Sequence, residues 1–330
     1  ALTDHLLDHT SYRQLSPTEA NSIRLQAGRN LRDLVHCYRE KLPKEDVKYF
    51  DRSFSQSRRL PQFYITPKVH KQPLKTRPIV SCIGSNIEVM SKYLDYHLQR
   101  VVRHCPSYLR DSANLLSELK KLPPLPPGTQ LATADAVSMY TNMDTAHVIN
   151  TVSRWLHKHQ RALPVDLHID LITEAISVVM TQNIFQFNDT YWIQTCGAAM
   201  GTSVACVLAT IYYSYHEETA ILPTYGNGGP LLFYRRFIDD GFIIWTPTIP
   251  YAPFDKFKSD LCFGKLTWTA DAPSSSVNFL DLTLTISNGF VSSKTYTKEH
   301  NLHLYLPPKS AHSQGVLKSL IYGNLQRYWK

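Results

Sequence analysis

The apolar and polar positions of the chain mark out an alternation of helices and strands. Residues Ser16–Tyr49 read as helical, with Ser16 as N-cap, Pro17 at the first position and Glu19 closing a capping box. Pro43 interrupts that region and starts a second short helix. Gln62–Thr66 and Arg77–Ser81 read as short strands around a basic turn holding Pro67, Pro73 and Pro78. Ser85 or Asn86 then caps an amphipathic helix with Ile87, Met90, Leu94, Leu98 and Val101 on one face.

The proline-rich stretch Pro123–Gly128 is a stiff connector that cannot sit within a sheet. Beyond it the pattern predicts a strand at Gln130–Ala134 ending at Asp135, helices at Asp144–His159 and Asp166–Thr181, and a hairpin of Phe185–Phe187 with Tyr191–Gln194 about an Asn188-Asp189 turn. A long buried helix is expected from Ser203 to Glu217. The Gly226–Gly229 loop leads into Leu231–Phe237, then Asp239-Asp240, then Gly241–Trp245, which read as two apolar strands joined at two acids. Further strands are expected around Lys265–Thr269 and Val277–Ile286. Strands and helices in this order, with acids at strand ends, predict an α+β layer in which a sheet is backed by helices.

One stretch raises the question of a membrane span, because Thr190–Tyr215 carries no charge. A spanning helix needs about 20 predominantly apolar residues. Gln194, Thr195, Gly197, Gly201, Thr202, Ser203 and Thr210 interrupt this one, so it reads as strand, glycine turn and buried helix. The segment Ala1–Arg13 is charged and has no apolar signal-peptide core.

Composition adds a class of partner. The 330 residues hold 35 Lys+Arg against 27 Asp+Glu, a formal net charge of +8, and 43% are hydrophobic. A real core is therefore affordable and polyanionic partners are favoured. The excess is concentrated: seven basic residues and no acid lie between Arg52 and Ile87, and no acid follows Glu299. A solvated face would explain such runs equally well. The six cysteines stand singly with no CxxC pair, which excludes a disulfide framework and structural zinc and suits reduced thiols inside a cell. His300 and His303 have a ligand-like spacing with no cysteine pair near them.

The chemistry sits in four places. Asp239 and Asp240 are adjacent carboxylates between buried strands, where they repel one another and lose solvation. A divalent cation would convert that penalty into binding energy, although a solvent-facing turn would also tolerate them. Asp135 ends a strand and is followed five residues on by Tyr140. Gly197–Ser203 is a small-residue segment containing Met200 and Gly201 that could admit a ligand or nucleic acid closely. The fourth is the basic strand-turn-strand ending in Lys75-Thr76-Arg77-Pro78-Ile79.

In this order the motifs, spanning Phe63 to Ile286, closely resemble the reverse transcriptase family. The resemblance implies a right-hand polymerase fold with fingers, palm and partial thumb, and an antiparallel palm sheet backed by helices. It implies an N-terminal helical region over residues 1–60, fingers over 61–130 with part of 150–195, a palm over 131–290 and the start of a thumb over 291–330. Asp135 matches the first palm carboxylate, and Asp239 and Asp240 match the aromatic-x-Asp-Asp motif with Phe237 as its aromatic. These acids and the Ala136 carbonyl would hold two Mg²⁺ ions, for which Mn²⁺ could substitute. Lys68 and Arg77 match residues that grip the triphosphate, with Lys75 competing for the lysine role; Met200 and Gly201 match the turn beside the nascent base pair; Tyr140 matches the aromatic that crowds the sugar 2′ position.

The expected partners are an RNA template, a DNA or RNA primer and dNTPs, with no membrane, and the expected setting is intracellular, nuclear in preference to cytoplasmic. Asn278–Leu282 resembles the strand that supports the primer end, with Asp281 structural. Lys68-Val69-His70-Lys71, Phe279-Leu280-Asp281 and the tail from Leu304 to Tyr328 are most similar to Penelope-like retroelement enzymes. Two departures are the lack of a GIY-YIG endonuclease after Lys330 and only about forty residues beyond the palm, which suggest a fragment or decayed copy. An RNA-dependent RNA polymerase and a domesticated nucleic-acid-binding protein are the alternatives; Tyr140 speaks against the first and the intact acids against the second.

Overall fold

The computed structural model describes residues 5–54, 59–68, 75–247, 253–297, 306–307 and 310–329. Within them the strands are β1 (Tyr12–Leu15), β2 (Gln62–Lys68), β3 (Lys75–Ser81), β4 (Gln130–Ala136), β5 (Ile184–Phe187), β6 (Thr190–Gln194), β7 (Leu231–Phe237), β8 (Asp240–Trp245), β9 (Trp268–Ala270), β10 (Ser276–Phe279), β11 (Leu282–Ser287) and β12 (Phe290–Thr295). They form a five-stranded sheet β1-β6-β5-β2-β3, a four-stranded sheet β7-β8-β4-β9 and a three-stranded sheet β10-β11-β12. The four-stranded sheet is antiparallel throughout.

That sheet is covered on both faces. Ala132, Ala134 and Ala136 of β4, with Ile243 and Trp245 of β8, share one core with the helices Thr145–His159, Ile169–Thr181 and Ala205–His216. At the alternate positions Leu131, Phe242 and Ile244 share a second core with Phe279, Leu282 and Leu284 of the small sheet and with the Ser112–Leu119 helix. Double covering explains why β8 after Asp240 reads as a continuous apolar run and not as an alternation. Side chains such as Phe242 and Ile243 have no exposed surface, and each contributes about 1.5–3 kcal/mol relative to an exposed one.

Most predicted elements are present with small shifts of boundary. Ser16 caps the Pro17–Tyr38 helix in a complete capping box with Glu19, and a second helix runs over Lys44–Phe54. Ser85, and not Asn86, caps the Asn86–Gln99 helix, which stops short of Val101. The uncharged stretch becomes β6, a turn and the buried helix Ala205–His216, and no helix of the described residues is long and apolar enough to cross a membrane.

Three expectations are corrected. Pro67 and Pro78 lie in paired strands, opposite Thr76 and Ile65, and not in the turn; Pro78 is in the edge strand β3, and Pro67 lies beyond the point where β2 pairs with β5 at Gln62, so at both a missing N–H is tolerated. The single strand expected over Val277–Ile286 is a hairpin, β10–β11, that turns at Leu280 with φ 54°. The segment before Ser16 holds β1, which pairs with β6. Arg58, Val69–Pro73 and the stretch from His300 to Tyr305 lie outside the described residues.

The Gly197–Gly201 segment stitches the sheets together. Gly197 (φ 84°) lies so near the Tyr140 backbone that a Cβ would approach its carbonyl oxygen to 2.2 Å; Gly201 (φ 128°) is equally close to β3, 2.3 Å from the Val80 oxygen. The Val80 N–H donates to the Met200 carbonyl at 2.7 Å, and the Cys82 thiol to that of Gly201 at 3.2 Å. The close approach that these glycines permit is therefore to the chain's own backbone. Gly201→Ala combines a backbone clash with a disfavoured φ, and should destabilise by about 3 kcal/mol or more. Urea unfolding checks this; a midpoint within error of the parent would contradict the packing.

Candidate active site

The central acids are set by the end of the double-covered sheet. β7 and β8 are joined by a two-residue turn, Ile238-Asp239, because Phe237 pairs directly with Asp240. The turn holds Ile238 at φ 55°, a conformation that a β-branched residue adopts only at a cost of about 1–3 kcal/mol. Asp239 thus stands at the tip and Asp240 is the first residue of β8, directly opposite Asp135 of β4. The Ala136 N–H donates to the Asp239 carbonyl at 2.9 Å, tying the tip to β4.

Behind the turn lies a buried ion pair. Arg236 and Glu217 have almost no exposed surface, and the guanidinium donates to Glu217 through Nε (2.6 Å) and Nη2 (2.9 Å). Its Nη1 donates to the Ile238 carbonyl at 2.8 Å, and Nη2 also reaches the Thr210 carbonyl at 3.0 Å. Ser107 Oγ hydrogen-bonds the same Glu217 carboxylate, and the guanidinium lies 4.9 Å from the Tyr213 ring centre. Burial opposes the charge on Arg236, but Glu217 more than compensates and raises its pKa. Glu217 opens a π-helix, Glu217–Ile221, that follows the Ala205–His216 helix.

In front of the turn is a cavity of about 750 Å³. Asp135, Ala136 and Asp239 line one side, and Lys68, Lys75 and Arg77 of the β2–β3 hairpin line another. Lys68 and Lys75 face each other across β2 and β3, as Asp135 and Asp240 do across β4 and β8. Like charges placed directly opposite destabilise a sheet. The cavity thus has carboxylates, Asp135 and Asp239, on one side and the facing pair Lys68 and Lys75 with Arg77 on another, which suits a ligand that brings both anionic groups and cations.

Tyr140, Met200 and Gly201 complete the wall. Ser138 adopts φ 47° and starts the short helix Met139–Asn142, which carries Tyr140. The Tyr140 hydroxyl and the Cys206 thiol are 3.1 Å apart. Burial, reinforced by the Cys206 bond and the Asp239 charge, pushes the Tyr140 phenol well above its ordinary pKa, so it stays protonated.

Two expected site residues lie elsewhere. Asp240 lines an adjoining cleft of about 130 Å³ with Asp135, Asp271 and Asn278, and not the main cavity. Phe237 packs against the core between the two smaller layers, and its place is behind the acids. Asp281 accepts a hydrogen bond from Ser112 and does not line the cavity. Conversely His5, Asp8, Tyr12 and Cys206 line it without having been foreseen; His5 Nε2 is 2.7 Å from Thr76 Oγ1, between Lys75 and Arg77. No local signal marks them: His5, Asp8 and Tyr12 come from the start of the described chain and meet the hairpin only in the folded structure, and Cys206 sits in a largely apolar helix.

Among the described residues no three His, Cys, Asp or Glu side chains gather closely enough to hold a metal by themselves. The donor set that fits is Asp135, Asp239 and the Ala136 carbonyl, all hard oxygens, with Asp240 close by across the strand pair. That suits Mg²⁺, which keeps waters and takes substrate phosphate oxygens to complete its octahedron.

Neither a protein-family model nor a curated protein matches the sequence. Solved structures do match in shape. Telomerase from Candida albicans, solved with the TWJ fragment of telomeric RNA, is 12% identical, with 90% of this chain and 52% of that one covered at a TM-score of 0.55. Telomerase from Candida tropicalis with the TWJ fragment is also 12% identical, with 82% and 49% covered at 0.52. The apo form of the latter is 11% identical, with 83% and 52% covered at 0.51. The chain spans about half the length of these telomerase chains. The likeness is one of fold: an α+β, right-hand, reverse-transcriptase-like polymerase fold with an antiparallel central sheet backed by helices.

Asp135→Asn removes one carboxylate from the donor set and leaves Asp239 and the Ala136 carbonyl in place. Millimolar Mg²⁺ is expected to raise the melting temperature of the parent, and that of the variant by less, since a ligand of the native state stabilises in proportion to its occupancy. Melting curves with chelator and with Mg²⁺ measure both. An equal Mg²⁺ gain in parent and variant would remove Asp135 from the metal site.

Proposed function

We infer that the chain is an RNA-directed DNA polymerase of retroelement kind, adding dNTPs to a primer 3′ hydroxyl with two Mg²⁺ ions. The observation that carries this is the single cavity with Asp135 and Asp239 on one side and Lys68, Lys75 and Arg77 on another. A nucleoside triphosphate with its metals matches that arrangement of charge. The fold shared with telomerase supports nucleic acid as the partner. The Penelope-like motifs support a retroelement origin, and that resemblance favours the nucleus as the place of work.

In this reading the sheet carrying the β2–β3 hairpin forms fingers, the four-stranded sheet forms the palm, and the Gln314–Trp329 helix begins a thumb. Asp135, Asp239 and the Ala136 carbonyl hold the ions, with Asp240 as the nearest further carboxylate. When bound, the ions ease ionisation of the primer hydroxyl and neutralise charge on the leaving pyrophosphate; Mn²⁺ is expected to substitute for Mg²⁺. Arg77 grips phosphate oxygens with a bidentate fork, and Lys68 and Lys75 supply point charges. Met200 and Gly201 floor the site beside the nascent pair, held in place by β3. Tyr140 sets the sugar: its ring lines the cavity and its hydroxyl is engaged by Cys206, which favours a steric role over recognition of a 2′ hydroxyl.

Asp239→Asn should lower Mg²⁺-dependent extension of a DNA primer on an RNA template by several orders of magnitude. Primer-template binding should persist, because phosphate contacts elsewhere supply that affinity. Single-turnover extension beside a binding titration separates the two, and parent-like extension by the variant would sink the assignment.

Tyr140→Ala should admit ribonucleotides that the parent rejects, since removing the ring removes a clash and not a metal contact. The measured quantity is the ratio of rNTP to dNTP incorporation, expected to rise about 10²-fold with a much smaller loss in dNTP use. An unchanged ratio would make Tyr140 an ordinary wall residue and would favour an RNA polymerase.

A further inference from the structure

The Ile238-Asp239 turn is an unusual place to find a β-branched side chain at positive φ, and nothing in its own sequence holds it there. The restraint comes from behind. Arg236, two residues earlier on β7, turns its guanidinium inward and donates Nη1 to the Ile238 carbonyl at 2.8 Å. The guanidinium is itself fixed by two bonds to Glu217 and one to the Thr210 carbonyl, both beside or within the helix that carries Cys206. The Arg236 backbone is held in turn, its N–H donating to the Ser107 carbonyl at 2.7 Å and its carbonyl accepting from Leu109 N–H at 3.0 Å. The carbonyl so gripped belongs to the peptide that joins Ile238 to Asp239, so its orientation sets where Asp239 points.

We propose that Arg236 is a positioning residue for Asp239, and that the buried Arg236–Glu217 pair clamps the strained Ile238–Asp239 peptide so that the carboxylate is presented to the metal ions. The inference rests on the polymerase reading above. A fully buried ion pair is weak evidence for stability, because hydrophobic residues of similar volume often do as well. What apolar side chains could not supply is a fixed donor aimed at one carbonyl. Partners of this kind behind metal ligands characteristically affect metal affinity or activity 10–100-fold when removed.

The test is a cycle in the full chain: parent, Arg236→Lys, Ile238→Gly and the double variant. Arg236→Lys keeps a charge for Glu217 and loses the fork that also reaches Ile238. Three quantities are read: the melting temperature, Mn²⁺ affinity without nucleic acid by paramagnetic resonance, and kcat and KM for single-nucleotide extension. Arg236→Lys is expected to weaken Mn²⁺ binding about tenfold and to lower kcat about 10²-fold, with KM for dNTP within about threefold. Adding Ile238→Gly lets the turn reach positive φ unaided, so the double variant should return to within about threefold of Ile238→Gly alone in both Mn²⁺ affinity and kcat. A purely structural role would lower the melting temperature and would not be rescued by a glycine in the turn.

Parent-like Mn²⁺ affinity in Arg236→Lys, or no recovery on adding Ile238→Gly, would overturn the inference. Should Arg236→Lys fail to fold, Glu217→Gln takes its place in the cycle, with a severalfold loss of Mn²⁺ affinity and the same rescue expected; no loss overturns the inference. A parent that neither binds Mn²⁺ nor extends a primer overturns the polymerase reading and this inference together. A competent parent with a failed cycle removes only the clamp.

Discussion

The four-stranded sheet β7-β8-β4-β9 is covered by helices on one face and by the small sheet and the Ser112–Leu119 helix on the other, and that covering decides where charge can sit. A carboxylate within either face would lose its hydration with no partner in reach, which the interior does not tolerate. At the strand ends the layers part, and there Asp135, Asp239 and Asp240 are found. The same condition fixes their mutual arrangement. Antiparallel register sets Asp135 against Asp240, while the two-residue turn carries Asp239 one step beyond, into the cavity. Position along the strand thus separates two neighbouring acids into different surroundings.

A buried charge does appear in the layer beneath, and its terms are different. Arg236 and Glu217 neutralise one another, and most of their remaining polar capacity is taken by Ser107, the Thr210 carbonyl and the Ile238 carbonyl. The geometry meets the condition under which a desolvated pair is tolerated, namely that the remaining donors and acceptors are satisfied. The pair also joins β7, the π-helix after Ala205–His216 and the turn at the site in one network. Within that network the strain in Ile238 persists because its surroundings over-determine it.

Much of this was legible in the sequence, and what was not has identifiable causes. Asp135 and Asp239 stand out only as members of an ordered set of motifs, since an acid at the end of a strand is common by itself. Ser16, Pro17 and Glu19 announce their helix because capping is local. The turn inside Val277–Ile286 escapes notice because Leu280 carries none of the glycine, asparagine or proline signals of a turn. Ile238 hides the true length of the β7–β8 turn for the same reason, so the sequence reads as a turn that holds both acids. Arg236 lies in an apolar strand where a charge looks like an outward-facing residue, and only tertiary packing turns it inward. The glycines were recognised as sites of close approach, but not that Val80 and Tyr140 are what approach them.

The stitch between Met200 and Val80 has a mechanical consequence. Val80 is fixed to the glycine turn, whereas Lys75, five residues earlier in that sheet's outermost strand, is held by its pairing with Lys68 of β2, with the His5–Thr76 bond beside it. At about 3.3 Å per residue the arm from anchor to Lys75 is roughly 17 Å long. A rotation of about 10° at the anchor would sweep its tip through roughly 3 Å, the difference between a phosphate contact and none. A slight adjustment beside Gly201 would thus be magnified at the basic end of the hairpin, and the His5–Thr76 bond is the contact that opposes it.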